Sequence, residues 1–240
     1  MSRHPQEVRQ ADQTLDLGST QARVGFRLQE GLLLAGGPIE MTFLVDMHGH
    51  SERMLAVSGD SMRQRPGQFA FEASMSGRAL PDPLAMLPDM GGPISVITIS
   101  AASCWRQPLL LNQFVALEQA RQQLADGEQG HILLSCRRRV KFADNESQAL
   151  REDDGQLVDV ALAFDVSRND AALSALTAGW LSDVFDGPLD LREPALAKLF
   201  AMRGAARAQI DALTRHPDHS VASRAEQALI AISRNANETS

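Results

Sequence analysis

Asp46, His48, His50 and Glu52 occupy every second position of the stretch FLVDMHGHSERM. Imidazole nitrogens and carboxylate oxygens are the donors that hold zinc or manganese. If the stretch is extended, the spacing puts all four side chains on one face. Completed by ligands from elsewhere in the chain, such an array activates a water for hydrolysis. Further ligands are scarce. Of six histidines in all, His4 lies near the N-terminus, His131 opens a strand pattern, and His216 and His219 fall in a turn between helices. The sequence carries no GxSxG, Walker loop or CxxC. Cys104 and Cys136 have no neighbouring base to lower a thiol pKa, and read as small buried hydrophobes.

The HxH pair resembles the first motif of metal-dependent phosphoesterases and amidohydrolases. That resemblance implies a hydrolase centred on Asp46, His48 and His50. Folds of that kind interleave strands with helices, whereas this chain groups its strand patterns first and its helical patterns last. The residues themselves therefore read as a strand running into a polar turn. Asp46, His48 and His50 sit on its solvent face, with no resident metal and no other cofactor.

Composition bounds the alternatives. At 240 residues, 44% hydrophobic and 22% charged, the chain has the makeup of a globular protein with a sizeable core. A net charge of −7 argues against general binding of nucleic acid. No run reaches the roughly 18 apolar residues that suggest a membrane span. The polar start MSRHPQEVRQADQTLDLGST lacks the apolar centre of a leader, so a cytoplasmic location is expected.

The elements that would position these side chains follow from apolar periodicity. Residues 1–21 read as a flexible lead-in. About eight short strands are expected over 22–167, including RVGFRL, IEMTFLVD, RMLAVSG, QFAFEAS, ISVITIS, CWRQPLLLNQF, HILLSCRRRVKF and LVDVALAFDV. In IEMTFLVD, Ile39, Met41, Phe43 and Val45 face one way. In CRRRVK, Arg137, Arg139 and Lys141 face solvent, while Cys136, Val140 and Phe142 point inward. The period then changes to about 3.6. Leu173, Leu176, Trp180 and Val184 form one helical stripe, Pro194 opens a further helix, and Val221, Ala225, Ala228, Leu229 and Ile232 form another behind a Ser220 cap. The fold class expected is mainly β plus α: an antiparallel sandwich over 22–167 and a helical domain over 168–240.

Two resemblances sharpen this expectation. GPIEMTFLVDMHGHSERMLAV, followed by RPGQFAFEAS, LPDPL, GGPISVITI, PLLLNQFVALE and GEQGHILLSC, resembles bacterial Ig-like β-sandwich modules, a type that includes intracellular proteinase inhibitors. The match runs over about residues 22–145. LTRHPDHSVASRAEQALIAI is similar to a HEAT-type repeat. Together they imply a non-enzymatic protein that binds another protein, in its sharpest form an immunity protein or inhibitor of a toxin or protease. A structural adaptor in a larger assembly is the other reading, and the oligomeric state stays open.

Charge suggests where the partner binds. Between Asp144 and Glu193 stand twelve carboxylates and three arginines, a net of −9 where the whole chain is −7. Such a patch steers a basic partner. The residues expected to carry it are Glu152, Asp153, Asp154, Asp183 and Asp186.

Overall fold

Alternation of apolar and polar residues becomes antiparallel strand across the first two thirds of the chain. The computed structural model describes residues 7–49, 51–58, 65–85, 94–100, 103–149 and 155–238. The strands are β1 (Gln10–Asp16), β2 (Thr20–Leu28), β3 (Glu40–Gly49), β4 (Arg53–Ser58), β5 (Phe69–Met75), β6 (Arg78–Leu80), β7 (Ile94–Ile99), β8 (Cys104–Leu110), β9 (Gln129–Val140), β10 (Phe142–Ala143) and β11 (Gln156–Ser167). The helices are α1 (Leu117–Gln122), α2 (Glu146–Ala149), α3 (Asp170–Asp186), α4 (Leu189–Met202), α5 (Arg207–Leu213) and α6 (His219–Glu238).

The chain divides into two units. The first comprises residues up to Gly31, Ile39–Val115 and His131–Asp165. Its strands form sheets ordered β1-β2-β3-β8, β10-β4-β7 and β11-β9-β5-β6. On β3 the expected parity holds: Ile39, Met41, Phe43 and Val45 are buried. The strand runs on past Val45, because Met47 is also fully buried. Phe26 and Phe43 of one sheet meet Phe69 and Phe71 of another, with ring centres 5.4–6.0 Å apart in edge-to-face contact.

Strand β1 lies inside the segment expected to be a loose lead-in. Its alternation is weak because only Leu15 is buried, so the pattern offers little signal. It is held by the β2 ladder, with Gln10 opposite Arg27 and Asp16 opposite Gln21. Gly25 permits this pairing: a Cβ there would stand 2.2 Å from the Ala11 carbonyl oxygen.

The second unit comprises Leu32–Pro38, Ala116–Gly130 and Val166–Ser240. Its core gathers Leu34, Leu173, Val184, Leu196, Leu199, Ile210, Leu213 and Val221. Asn169 caps α3, its side chain accepting from the Ala172 amide at 2.9 Å. On α3 the packed stripe is Leu173, Thr177 and Val184, and Leu176 is 46% exposed. The sequence puts Leu176 in that stripe, but it falls part of a turn off the i, i+4 row that packs. Pro194 lies inside α4 rather than opening it. The helix already starts at Leu189 behind Pro188, and Pro194 simply lacks the N–H that would bond the Asp190 carbonyl. Among the described residues, no helix is long and apolar enough to cross a membrane.

Candidate protein-docking face

The β3 cluster that suggests metal chemistry stands on the open face of its sheet. The register sets Asp46 opposite Arg23 of β2 and Cys104 of β8, and His48 opposite Gln21. Asp46 Oδ2 lies 3.4 Å from His48 Nε2, with both side chains solvent-accessible. His50 lies outside the described residues. Among the described residues, no three His, Cys, Asp or Glu side chains come together as a metal-binding group. The neighbouring groups form ordinary surface pairs. Arg23 donates to Asp12 Oδ2 at 2.7 Å, a bond that raises the guanidinium pKa and holds the Asp12 carboxyl below the usual carboxylate range.

Of the five carboxylates expected to meet a partner, Glu152, Asp153 and Asp154 lie outside the described residues. Asp183 and Asp186 both sit in the last turn of α3. The chain turns sharply just beyond them. The Gly187 amide donates to the Asp183 carbonyl at 3.1 Å, and a Cβ on Gly187 would come within 2.5 Å of that oxygen. Pro188 then leads directly into α4. This corner exposes large apolar side chains: Phe185 is 36% exposed, Leu191 46% and Leu189 77%. Interspersed with them are Asp183, Asp186, Asp190 and Glu193, with Arg192 the one basic residue in the run.

The corner is anchored from beneath. Val184 is completely buried between the exposed positions. His216 is buried as well, and its two nitrogens have distinct roles. Its Nδ1 accepts from the Asp218 amide at 3.0 Å, which leaves Nε2 as the donor to the Val184 carbonyl at 3.3 Å. The His216 ring also lies 4.9 Å from the Phe185 ring. Sequence reasoning picked the carboxylates here but missed Phe185, Leu189 and Leu191. The signal was available in DVFDGPLDLRE, where apolar and acidic residues share too short a stretch for all the apolar ones to be buried.

Arg138, in the strand unit, also escaped the sequence reading. It is 1% exposed and inward-facing, because it shares the strand parity of Cys136 and Val140. Its guanidinium carbon lies 4.2 Å from the Phe43 ring centre and 4.5 Å from that of Phe69. It donates to Gln107 Oε1 at 3.0 Å and Gln68 Oε1 at 3.4 Å. Burial pushes its pKa down, to about 9, which leaves it charged at neutral pH. Burial also pushes the Cys136 thiol up, so it is inert as a nucleophile.

The helical unit carries a cleft of about 570 Å³, lined by Arg121, Asp170, Thr177, Arg207 and Gln209 among others. The Asp170 carboxylate in it is already paired. Arg121 and Arg168 both donate to Asp170, at 3.0 and 2.8 Å, and these bonds lower the Asp170 pKa to about 2. The Gln209 amide donates to the Thr177 hydroxyl at 3.1 Å.

No protein-family model matches the chain, and no curated protein does. Among solved structures, a crystal structure of a protein from Archaeoglobus fulgidus is similar at 14% identity over 64% of this chain and 98% of that one, with a TM-score of 0.30. A likeness at that level assigns neither fold family nor function.

Proposed function

We propose that this is a protein-binding protein and that the α3–α4 corner is its docking face. The observation that supports this is the coincidence of exposed Phe185, Leu189 and Leu191 with Asp183, Asp186, Asp190 and Glu193 on one tight turn. Large apolar side chains grouped on a surface mark interaction sites. An apolar centre with a charged rim is the usual anatomy of an interface. The partner that fits carries apolar pockets bordered by lysine or arginine. The sharpest version is an immunity protein or inhibitor that neutralises a basic toxin or protease.

The finer structural reading belongs with this proposal. Rings from two sheets meeting in the first unit suit an Ig-like sandwich. A His216-Pro217-Asp218 turn between α5 and α6 suits a HEAT-type repeat. Modules of both kinds present binding surfaces on rigid frames.

The test uses a photo-crosslinking residue at Leu189 and, as control, at Thr14 on β1, each in the full chain within an extract of the native cells. The expected result is a discrete partner captured from position 189. That capture disappears in an Asp183→Lys, Asp186→Lys variant and weakens at raised salt. Capture that is equal from both positions, or absent from 189, overturns the reading.

A further inference from the structure

Strand edges present unpaired N–H and C=O groups, and proteins guard them with charge, proline or shortness. The described sheets have six edge strands. Strand β1 carries Asp12 and Asp16, and β11 carries Asp159 and Asp165. Strand β8 carries Arg106 and, in mid-strand, Pro108. Strand β6 is three residues long and includes Arg78, and β10 is two residues long. Each of these five has a guard.

Strand β7 has none. It is six residues of Ile, Ser, Val, Ile, Thr and Ile. It lies within residues 90–105, the longest stretch of the chain without a charged side chain. All six residues pair with β4, from Ile94 opposite Ser58 to Ile99 opposite Arg53, so the ladder runs without a bulge. Among the described residues nothing pairs with the other edge. Ile94 is 47% exposed there, and Val96 and Ile97 are half-buried. A straight, uncharged, β-branched edge is a template for strand addition.

We propose that this edge pairs antiparallel with β7 of a second copy of the chain, joining two three-stranded sheets into one of six. The axis relating the copies stands perpendicular to the sheet, so directly opposed residues share a face and their positions sum to an even number. Centred on Ile97, the pairing sets Ile97 against Ile97, Val96 against Thr98 and Ser95 against Ile99. Centred on Val96, it sets Ser95 against Ile97 and Ile94 against Thr98. Both registers oppose only β-branched and hydroxyl side chains, the pairs that favour a sheet. Self-pairing of β1 about Thr14 would instead oppose Asp12 with Asp16, and β8 has no N–H to offer at Pro108. Strand β7 accepts its own copy in either register without placing any charge at the seam and without a missing donor. This inference concerns the strand unit and stands independently of the docking corner on the helices.

The test is the mass of the intact protein by light scattering and sedimentation over a wide concentration range. A dimer is expected at high concentration. Thr98→Lys puts a cation on an exposed edge position and shifts the protein to monomer, while its circular dichroism and melting stay as in the parent. In a Cys104→Ser background, Ile97→Cys or Val96→Cys forms an intermolecular disulfide, and which of the two reacts gives the register. The proposal is overturned by a protein that stays monomeric throughout. It is equally overturned by a dimer indifferent to Thr98→Lys, or by a dimer in which neither cysteine crosslinks.

Discussion

The Arg138 guanidinium carbon stands 4.2 Å above the centre of the Phe43 ring, inside the strand unit, and its polar contacts are two glutamine side chains. No ion pair to it is found among the described residues. The two rings and the two Gln oxygens offset part of the cost of burying the charge. Among the described residues its Nε finds no hydrogen-bond partner.

Arg138→Met keeps much of the packing and removes the buried charge. The expected result is a protein as stable as the parent, or more stable by about 1 kcal/mol or more, as when a buried charge gives way to a well-packed hydrophobe. Arg138→Ala empties the space over Phe43 and Phe69 and costs about 2–5 kcal/mol. The pH dependence has a definite sign. A base held below its unfolded pKa destabilises the fold wherever both states are protonated, and this penalty fades as pH rises through the folded value of about 9. The advantage of Arg138→Met, read by chemical denaturation, therefore shrinks between neutral pH and about pH 10. A Met variant as unstable as the Ala variant would show that the cation itself stabilises the core.

In the helical unit, Arg168 and Arg121 hold Asp170 ionised by hydrogen bonds and charge, lowering its pKa from 3.8 to about 2. Its contribution to stability is present above the unfolded value and is lost as pH falls through the folded one. Far-UV circular dichroism of the parent should thus lose helix in the acid range below about pH 4. Asp170→Asn lowers stability at neutral pH and flattens that acid limb. An unchanged acid limb in the variant would assign the transition to other carboxylates.

The β3 cluster gives a prediction for metal. After dialysis against zinc or manganese, the purified protein is expected to retain no stoichiometric ion. The His48→Ala, His50→Ala double variant should melt within about 0.5 kcal/mol of the parent, as surface changes generally do. Stoichiometric metal that disappears in this variant together with a hydrolytic activity would replace the binding-protein reading with a hydrolase centred on Asp46, His48 and His50.

Once a partner is in hand, two charge reversals compare the acidic segments. Asp183→Lys with Asp186→Lys should slow association more than it speeds dissociation, and should flatten the salt dependence of the on-rate. Glu152→Lys, Asp153→Lys and Asp154→Lys together test the other acidic run. If only the second set acts, the docking face lies away from the α3–α4 corner.

Much of this architecture was legible where one face of an element is buried and the other wet. Strand β3 announces itself through Ile39, Met41, Phe43 and Val45, and α6 through Val221 and Ala225. Legibility failed where burial does not alternate or where the tertiary setting overrides local preference. Strand β1 buries a single side chain. Ser220 reads as the cap of α6, but Asp218 takes the role, accepting from the Ser220 amide at 2.9 Å. Arg138 was hidden by chemistry rather than pattern: its parity says inward, while its charge says outward. At the candidate site the carboxylates and the crowding of apolar residues in DVFDGPLDLRE could be seen in the sequence, but which of those apolar residues stay exposed could not, since it depends on a corner formed by Gly187 and Pro188.

The division of the chain into two units has a consequence for how the molecule is made. Leu32–Pro38 and Ala116–Gly130 belong to the helical unit but are synthesised between strands of the other. Leu34 has its core neighbour Leu173 only after most of the β sequence has emerged. A nascent chain stopped before α3 therefore displays Leu34 without the later helices whose side chains complete its core. No single protease cut can release either unit whole. Loop closure over so long a span is slow relative to forming local hairpins, so the helical unit is the last to become complete and the most dependent on an intact C-terminal half.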